Sequence, residues 1–260
     1  MQVLNRADGA LHYRIDGPDG APVVIFSNSL GTDLRLWDAL LPLLPQGLRY
    51  LRYDKQGHGL SDLWRADRLQ DHADDAMALI RDVAQGPVVF VGLSIGGLIG
   101  QRVASQHPDL VRALVLSNTA ARLGTAEGWQ DRVDAVRRDG LPAMADGIMQ
   151  RWFGPDFRST PQVAPWRNML ARTAPEAYVA ACHALAGADQ TQATAALDLP
   201  TAVIAGSEDG ASPPDLVHGT ATLIKGASFD IIPGAGHLPC VETPAAHAAI
   251  IAPFLERHAR

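Results

Sequence analysis

The sequence predicts an α/β fold, a mostly parallel and doubly wound sheet with helices on both faces. Three observations predict it. Short apolar runs alternate with helical patterns along most of the chain. Several of those runs are apolar at nearly every position, as strands covered on both faces require. The 260 residues, 47% hydrophobic and 19% charged, suit one large domain with room for an inserted part.

Residues 11–15 (Leu-His-Tyr-Arg-Ile) alternate at period two and read as an edge strand. The apolar runs at 22–27, 48–53, 88–91, 113–117, 201–205 and 228–232 read as six further strands. Between them lie helices. In residues 72–84, Ala73, Met77, Ile80 and Ala84 recur at helical spacing, and Ala246, Ala249, Ile250 and Phe254 do so near the end. The alternation breaks once. From about residue 122 to 189 no strand pattern occurs; helical patterns are interrupted by Pro142, Pro155, Pro161, Pro165 and Pro175, and Trp129, Trp152 and Trp166 fall there. The expectation is a core domain of residues 1–121 and 190–260, with residues 122–189 a helical insertion lying over the sheet edge.

Charge and composition narrow the function classes. Twenty-two basic residues against 28 acidic leave a net charge of −6, which argues against nucleic acid or an anionic membrane as the main partner. No run of about eighteen apolar residues suggests a membrane span. The first residues, Met1 to Arg6, lack the charged and apolar regions of a secretory signal, so a cytoplasmic location is expected. Cys182 and Cys240 form no Cys-x-x-Cys pair, so buried free thiols are expected rather than a disulfide or a metal site.

The informative motif is Gly92-Leu93-Ser94-Ile95-Gly96, directly after the run Val88 to Val91. A Gly-x-Ser-x-Gly between strand and helix lifts a serine hydroxyl to the top of a sheet on a strained turn. A serine hydroxyl is a weak nucleophile at neutral pH; it needs a base, and the base needs an orienting acid. In parallel sheets functional residues gather at the carboxyl ends of strands. Asp209 follows the strand at 201–205, and His237 follows the strand at 228–232 on a Gly-x-Gly turn. The order Ser, acid, His is the one this kind of fold uses. Glu208 competes with Asp209 for the acid, Asp209 being preferred, and Asp230 is a weaker alternative. His58 precedes the nucleophile and is read as a residue that holds its own loop.

A developing oxyanion needs donors that are already in place. The Ile95 N–H, following the nucleophile and opening a helix, is one candidate. The Leu30 N–H, in the loop Asn28-Ser29-Leu30-Gly31-Thr32 after the strand at 22–27, is the other.

With these residues assembled, the chain resembles the α/β-hydrolase family over nearly its whole length. The resemblance rests on the Asn28–Gly31 loop with Trp37, the segment from Asp54 to Ser61, the Ser94 elbow, Asp209 and His237. It implies an eight-stranded sheet, a helical cap after the sixth strand, a Ser94–His237–Asp209 triad, and no metal or organic cofactor. Within that family the chain is most similar to 3-oxoadipate enol-lactonases of the β-ketoadipate route of aromatic breakdown. Here Ser27-Asn28-Ser29-Leu30-Gly31-Thr32-Asp33 carries the likeness, where most relatives have His-Gly at positions 28 and 29. Ser212-Pro213-Pro214 also fits, whereas Gln56 stands where Arg is common. The implied reaction is hydrolysis of a small enol-lactone bearing a carboxylate.

A carboxylate substrate calls for a cation. The chain has 20 arginines and two lysines. Guanidinium suits planar carboxylate recognition, and Arg35, Arg137, Arg151 and Arg167 are candidate anchors. Arg35 and Trp152 are the substrate-binding candidates carried forward. The competing functions on the same scaffold are a carboxylesterase, a perhydrolase, a carbon–carbon bond hydrolase, and a small-molecule receptor without turnover.

Overall fold

The structure is a computed structural model and describes residues 1–260. Its eight strands are β1 (Gln2–Asn5), β2 (Ala10–Asp16), β3 (Val23–Ser27), β4 (Arg49–Tyr53), β5 (Val88–Leu93), β6 (Val111–Ser117), β7 (Thr201–Gly206) and β8 (Ser228–Ile232). They form one sheet in the order β1-β2-β4-β3-β5-β6-β7-β8. The pairings β1–β2 and β2–β4 are antiparallel and every other pairing is parallel. All residues of β3, β5 and β7 are buried, which is why those strands read as unbroken apolar runs.

Two strand expectations need correction. β1 has no counterpart among the seven strands read from sequence, since four residues that are almost all exposed offer no apolar run. With β1 at the sheet edge, β2 becomes the second strand, so residues 11–15 are not an edge.

Helix α1 (Leu69–Leu79) begins earlier than the apolar spacing indicates. The Asp71 carboxylate accepts from the Arg68 backbone N–H at 3.1 Å and so closes its first turn. A wide turn at Ile80–Ala84 follows and ends at Gln85, with φ of 58°. α2 (Ile95–Gln106) starts immediately after Ser94 and packs on α1, β3, β5 and β6.

Between β6 and β7 the chain is helical: α3 (Ala126–Trp152), α4 (Pro155–Arg158), α5 (Ala164–Ala171), α6 (Pro175–Ala186) and α7 (Thr191–Ala195). α3 is two helices in line. Gly140, at φ 75°, breaks the helical geometry just before Pro142. Pro155, Pro165 and Pro175 stand in first turns, where a missing N–H costs nothing. α3 packs against α5 and α6, and the group lies over loops at the carboxyl ends of the strands. Leu170 and Tyr178 meet Gly31 there, and Ala177 meets Gly57. The chain closes with α8 (Pro214–Leu223) against β7 and β8, then α9 (Pro239–Glu242) and α10 (Pro244–His258), the last touching β6 and β8. No helix is long and apolar enough to cross a membrane. Cys182 and Cys240 are both buried and unpaired.

Candidate active site

Ser94 sits at φ 59° and ψ −123°, a conformation that side chains other than glycine's rarely adopt. The turn is tight enough to exclude larger neighbours. A Cβ on Gly92 would strike the Gly96 carbonyl, and one on Gly96 would strike the Ser27 carbonyl. The strained backbone is held from both sides. The Ser94 N–H donates to the Ser117 carbonyl at 3.1 Å, and the Thr119 hydroxyl donates to the Ser94 carbonyl at 2.7 Å.

Parallel strands β7 and β8 deliver their following loops to the same end of the sheet. Asp209 and His237 meet there, with Nδ1 2.8 Å from Asp209 Oδ2. Asp209 is buried, and burial alone would raise its pKa. The His237 ring, the Asn118 amide at 3.0 Å and the Ser212 N–H at 2.9 Å overcome that and hold the carboxyl below its usual range. Ser212 Oγ adds a further contact to Oδ2 at 2.9 Å. Glu208 is exposed, and its carboxylate lies near Ser207 instead of His237. Asp230 is exposed on β8.

The other face of the ring opens on a cavity of about 200 Å³ that Ser94 also lines. Nε2 lies 3.3 Å from Ser29 Oγ. No hydrogen bond joins Nε2 to Ser94 Oγ in this structure; such contacts commonly tighten only in the substrate complex. The backbone N–H groups of Leu30 and Ile95 have no acceptor within the protein. Neighbouring contacts brace the Leu30 loop. Asn28 donates to the Tyr53 carbonyl at 2.8 Å and accepts from Trp37 Nε1 at 2.7 Å. Gly31 N–H donates to His58 Nε2 at 3.1 Å. Burial and the nearby Lys55 charge push His58 down to about 3, so it stays neutral and free to accept.

The cavity holds two arginines, Arg132 and Arg151, and no carboxylate. Neither guanidinium belongs to a salt bridge. Burial, then the Arg132 charge, lower the pKa of Arg151. Trp152 lines the cavity with Trp129, Ile148 and Tyr178.

Three anchor candidates lie elsewhere. Arg35 is bound to Asp33 at 2.6 Å on an outer turn and opens on a separate surface hollow, because a neighbour two residues away captures it. It is not a lining residue, which corrects that expectation. Arg167 is paired with Asp146, and Arg137 is exposed away from the cavity. Sequence reasoning passed over Arg132. The available signal was the spacing of Gly128, Trp129 and Arg132, which share one face of α3, with Thr125 at its N-terminal cap.

Glu242 was also passed over. Its carboxylate accepts from the N–H of Gly154 at 3.0 Å and from that of Gly236, and burial raises its pKa to about 7. Further main-chain bonds join the end of α3 to the loops that carry Asp209 and His237. His237 N–H donates to the Trp152 carbonyl at 2.7 Å, and Gly210 N–H to the Arg151 carbonyl at 3.2 Å. No group of three or more His, Cys, Asp or Glu side chains is placed to hold a metal ion.

A serine on a strained strand-to-helix turn, backed by histidine and carboxylate at the strand ends of this sheet, is the construction of an α/β hydrolase. The chain belongs to that family: the profile described as alpha/beta hydrolase fold matches residues 22–244. It is similar to 3-oxoadipate enol-lactonase 1 of Acinetobacter baylyi, with 31% identity over 258 residues, covering 98% of this chain and 97% of that protein. Among solved structures it is similar to the enol-lactonase from Burkholderia xenovorans LB400. That match has a TM-score of 0.91 and 34% identity, covering 95% of this chain and 97% of that one. A thermophilic esterase from Thermogutta terrifontis, solved with malate bound, superposes with a TM-score of 0.91 and 28% identity over 100% of both chains.

Proposed function

We propose that the protein opens a small, carboxylate-bearing enol-lactone, 3-oxoadipate enol-lactone being the favoured substrate, to give the open-chain keto acid. The observation that carries this reading is the cavity beside Ser94, which contains two arginines free of salt bridges and no acid. A small neutral ester would leave both charges unanswered. The similarity to proteins named enol-lactonases supports the same substrate class, and the malate in the similar esterase shows a dicarboxylate in a related fold.

In the proposed reaction Ser94 Oγ attacks the ring carbonyl while His237 Nε2 takes its proton. The N–H groups of Leu30 and Ile95 receive the tetrahedral oxyanion. Asp209 holds the ring with Nδ1–H toward it and stabilises the imidazolium. Collapse breaks the ring C–O bond, and His237 returns its proton to the departing enol oxygen. The enol then becomes a ketone. Water attacks the acyl-enzyme, giving its proton to His237, and Ser94 is restored as the acid leaves. None of these steps calls on a metal or organic cofactor. Residues 122–189 act as a cap that supplies the arginines and aromatic walls. On this reading the protein works in the cytoplasm, on the β-ketoadipate route.

The test is a panel: the enol-lactone, its methyl ester, simple aryl esters and aromatic ring-cleavage products. The enol-lactone should show the highest kcat/KM. Fast cleavage of a neutral ester or of a carbon–carbon bond, with an inert enol-lactone, would replace this reading with an esterase or carbon–carbon hydrolase.

A further inference from the structure

Only two lysines occur in the chain, Lys55 and Lys225, against 20 arginines. Lys55 is 1% exposed and meets no carboxylate at salt-bridge distance. Its ammonium instead donates to two carbonyls, those of Asn28 at 3.1 Å and Ser29 at 2.9 Å. The Ser29 carbonyl also accepts from Thr32 Oγ1 at 2.8 Å and from Thr32 N–H at 3.3 Å.

That carbonyl belongs to the same peptide group as the Leu30 N–H. In a trans peptide the two lie in one plane and point in opposite directions across the C–N bond, and the chain has no cis bonds. Donors that draw the oxygen inward therefore turn the N–H outward, where Leu30 lines the cavity beside Ser94. A positive charge at the oxygen end also polarises the amide and makes its N–H a stronger donor.

We infer that Lys55 is a positioning residue of the oxyanion site, aiming and strengthening the Leu30 N–H through the Ser29–Leu30 peptide. This rests on the reading of Ser94 as nucleophile and Leu30 as oxyanion donor. A purely structural role accounts poorly for the residue chosen. An unpaired buried ammonium is costly, and burial, partly countered by Asp54 and Asp33, brings the Lys55 pKa down from 10.5 to about 7. A neutral donor or an apolar side chain would fill the same space without that cost.

The test uses a fluorophosphonate, because its reaction does not depend on which substrate is natural. Ser94 Oγ forms an O–P bond, fluoride leaves, the serine proton passes to His237, and the phosphoryl oxygen occupies the oxyanion site. Lys55→Met keeps the length and removes the charge. The maximal inactivation rate should fall about tenfold, less than the loss of a whole donor. The concentration for half-maximal inactivation and the melting temperature should change little. Thr32→Val, which removes another donor to the same carbonyl, should slow the reaction about threefold by the same argument.

An unchanged inactivation rate in a folded Lys55→Met variant overturns the inference. If that variant does not fold, an unchanged rate in Thr32→Val overturns it instead. Failure of the wild-type protein to be labelled at Ser94 would sink the underlying reading rather than the Lys55 inference alone.

Discussion

Replacing Arg132 with Met tests how the cavity reads charge. Arg132 is half-buried, lies outside every salt bridge and shares the cavity with Arg151. A hydrogen bond to a charged group contributes about 1.5–3 kcal/mol. Solvent at the open side screens part of that, so the lower end, about 1.5 kcal/mol, is the expected share. At about 1.4 kcal/mol per factor of ten, kcat/KM for a carboxylate-bearing lactone should fall about tenfold, mostly through KM. The methyl ester of the same lactone has no charge to lose, so its kcat/KM should stay within about twofold. The assay is steady-state turnover of the pair at low and high salt, with the difference shrinking as salt rises. Equal losses on both substrates, or none on the carboxylate, would refute the reasoning. Arg132 is the cleaner site because Arg151 also donates from Nε to the Gly210 carbonyl at 3.0 Å, and its removal would disturb the loop that carries Asp209.

Ser94→Ala should lower turnover by about four orders of magnitude or more with an unaltered circular dichroism spectrum; surviving activity would move the nucleophile elsewhere. Asp209→Asn should cost about 10³–10⁴ in kcat, whereas Glu208→Gln should stay within about twofold because that side chain does not reach His237; the opposite pattern reassigns the acid. Glu242 has a folded pKa of about 7 against 4.5 in free solution, raised by burial. Its contribution to stability is therefore full below about pH 4.5 and is lost as pH rises through 7. Melting temperatures of wild type and Glu242→Gln between pH 5 and 8 should show a flatter slope in the variant, and parallel slopes would contradict this.

The legible parts of the sequence were those in which one local pattern has one spatial meaning. Short, β-branched apolar runs such as Val88 to Val91, flanked by Gly and Pro, read as strands buried on both faces, and a parallel sheet delivers its following loops to one end. That is enough to bring Ser94, Asp209 and His237 into proximity on paper. β1 stayed hidden because an exposed four-residue strand owes its existence to pairing with β2, not to burial. Arg132 stayed hidden because its spacing from Gly128 and Trp129 shows which residues share a face of α3 but not that this face meets the cavity, which depends on how α3 packs against α6. Arg35 misled because sequence proximity to the Leu30 loop says nothing of Asp33, which captures its side chain. Glu242 and Lys55 bond to main-chain groups, most of them far off in sequence, and a backbone partner has no residue type to recognise.

The joints between the end of α3 and the loops that carry Asp209 and His237 are made largely by main-chain atoms: the carbonyls of Arg151 and Trp152 and the N–H of Gly154. A mount built mainly from backbone, with Arg151 and Glu242 as its side-chain members, depends little on the side chains elsewhere in the helices above it. The residues of α3 before Arg151 and of α6 that face the cavity can therefore be exchanged for others while the attachment, and with it the alignment of His237 against Asp209, stays as it is. On this scaffold, selectivity can diverge by substitution in the overlying helices without reopening the geometry that performs the chemistry. The aim of any redesign for a different acid or ester should begin at Trp129, Arg132 and Ile148, and leave residues 151–154 alone.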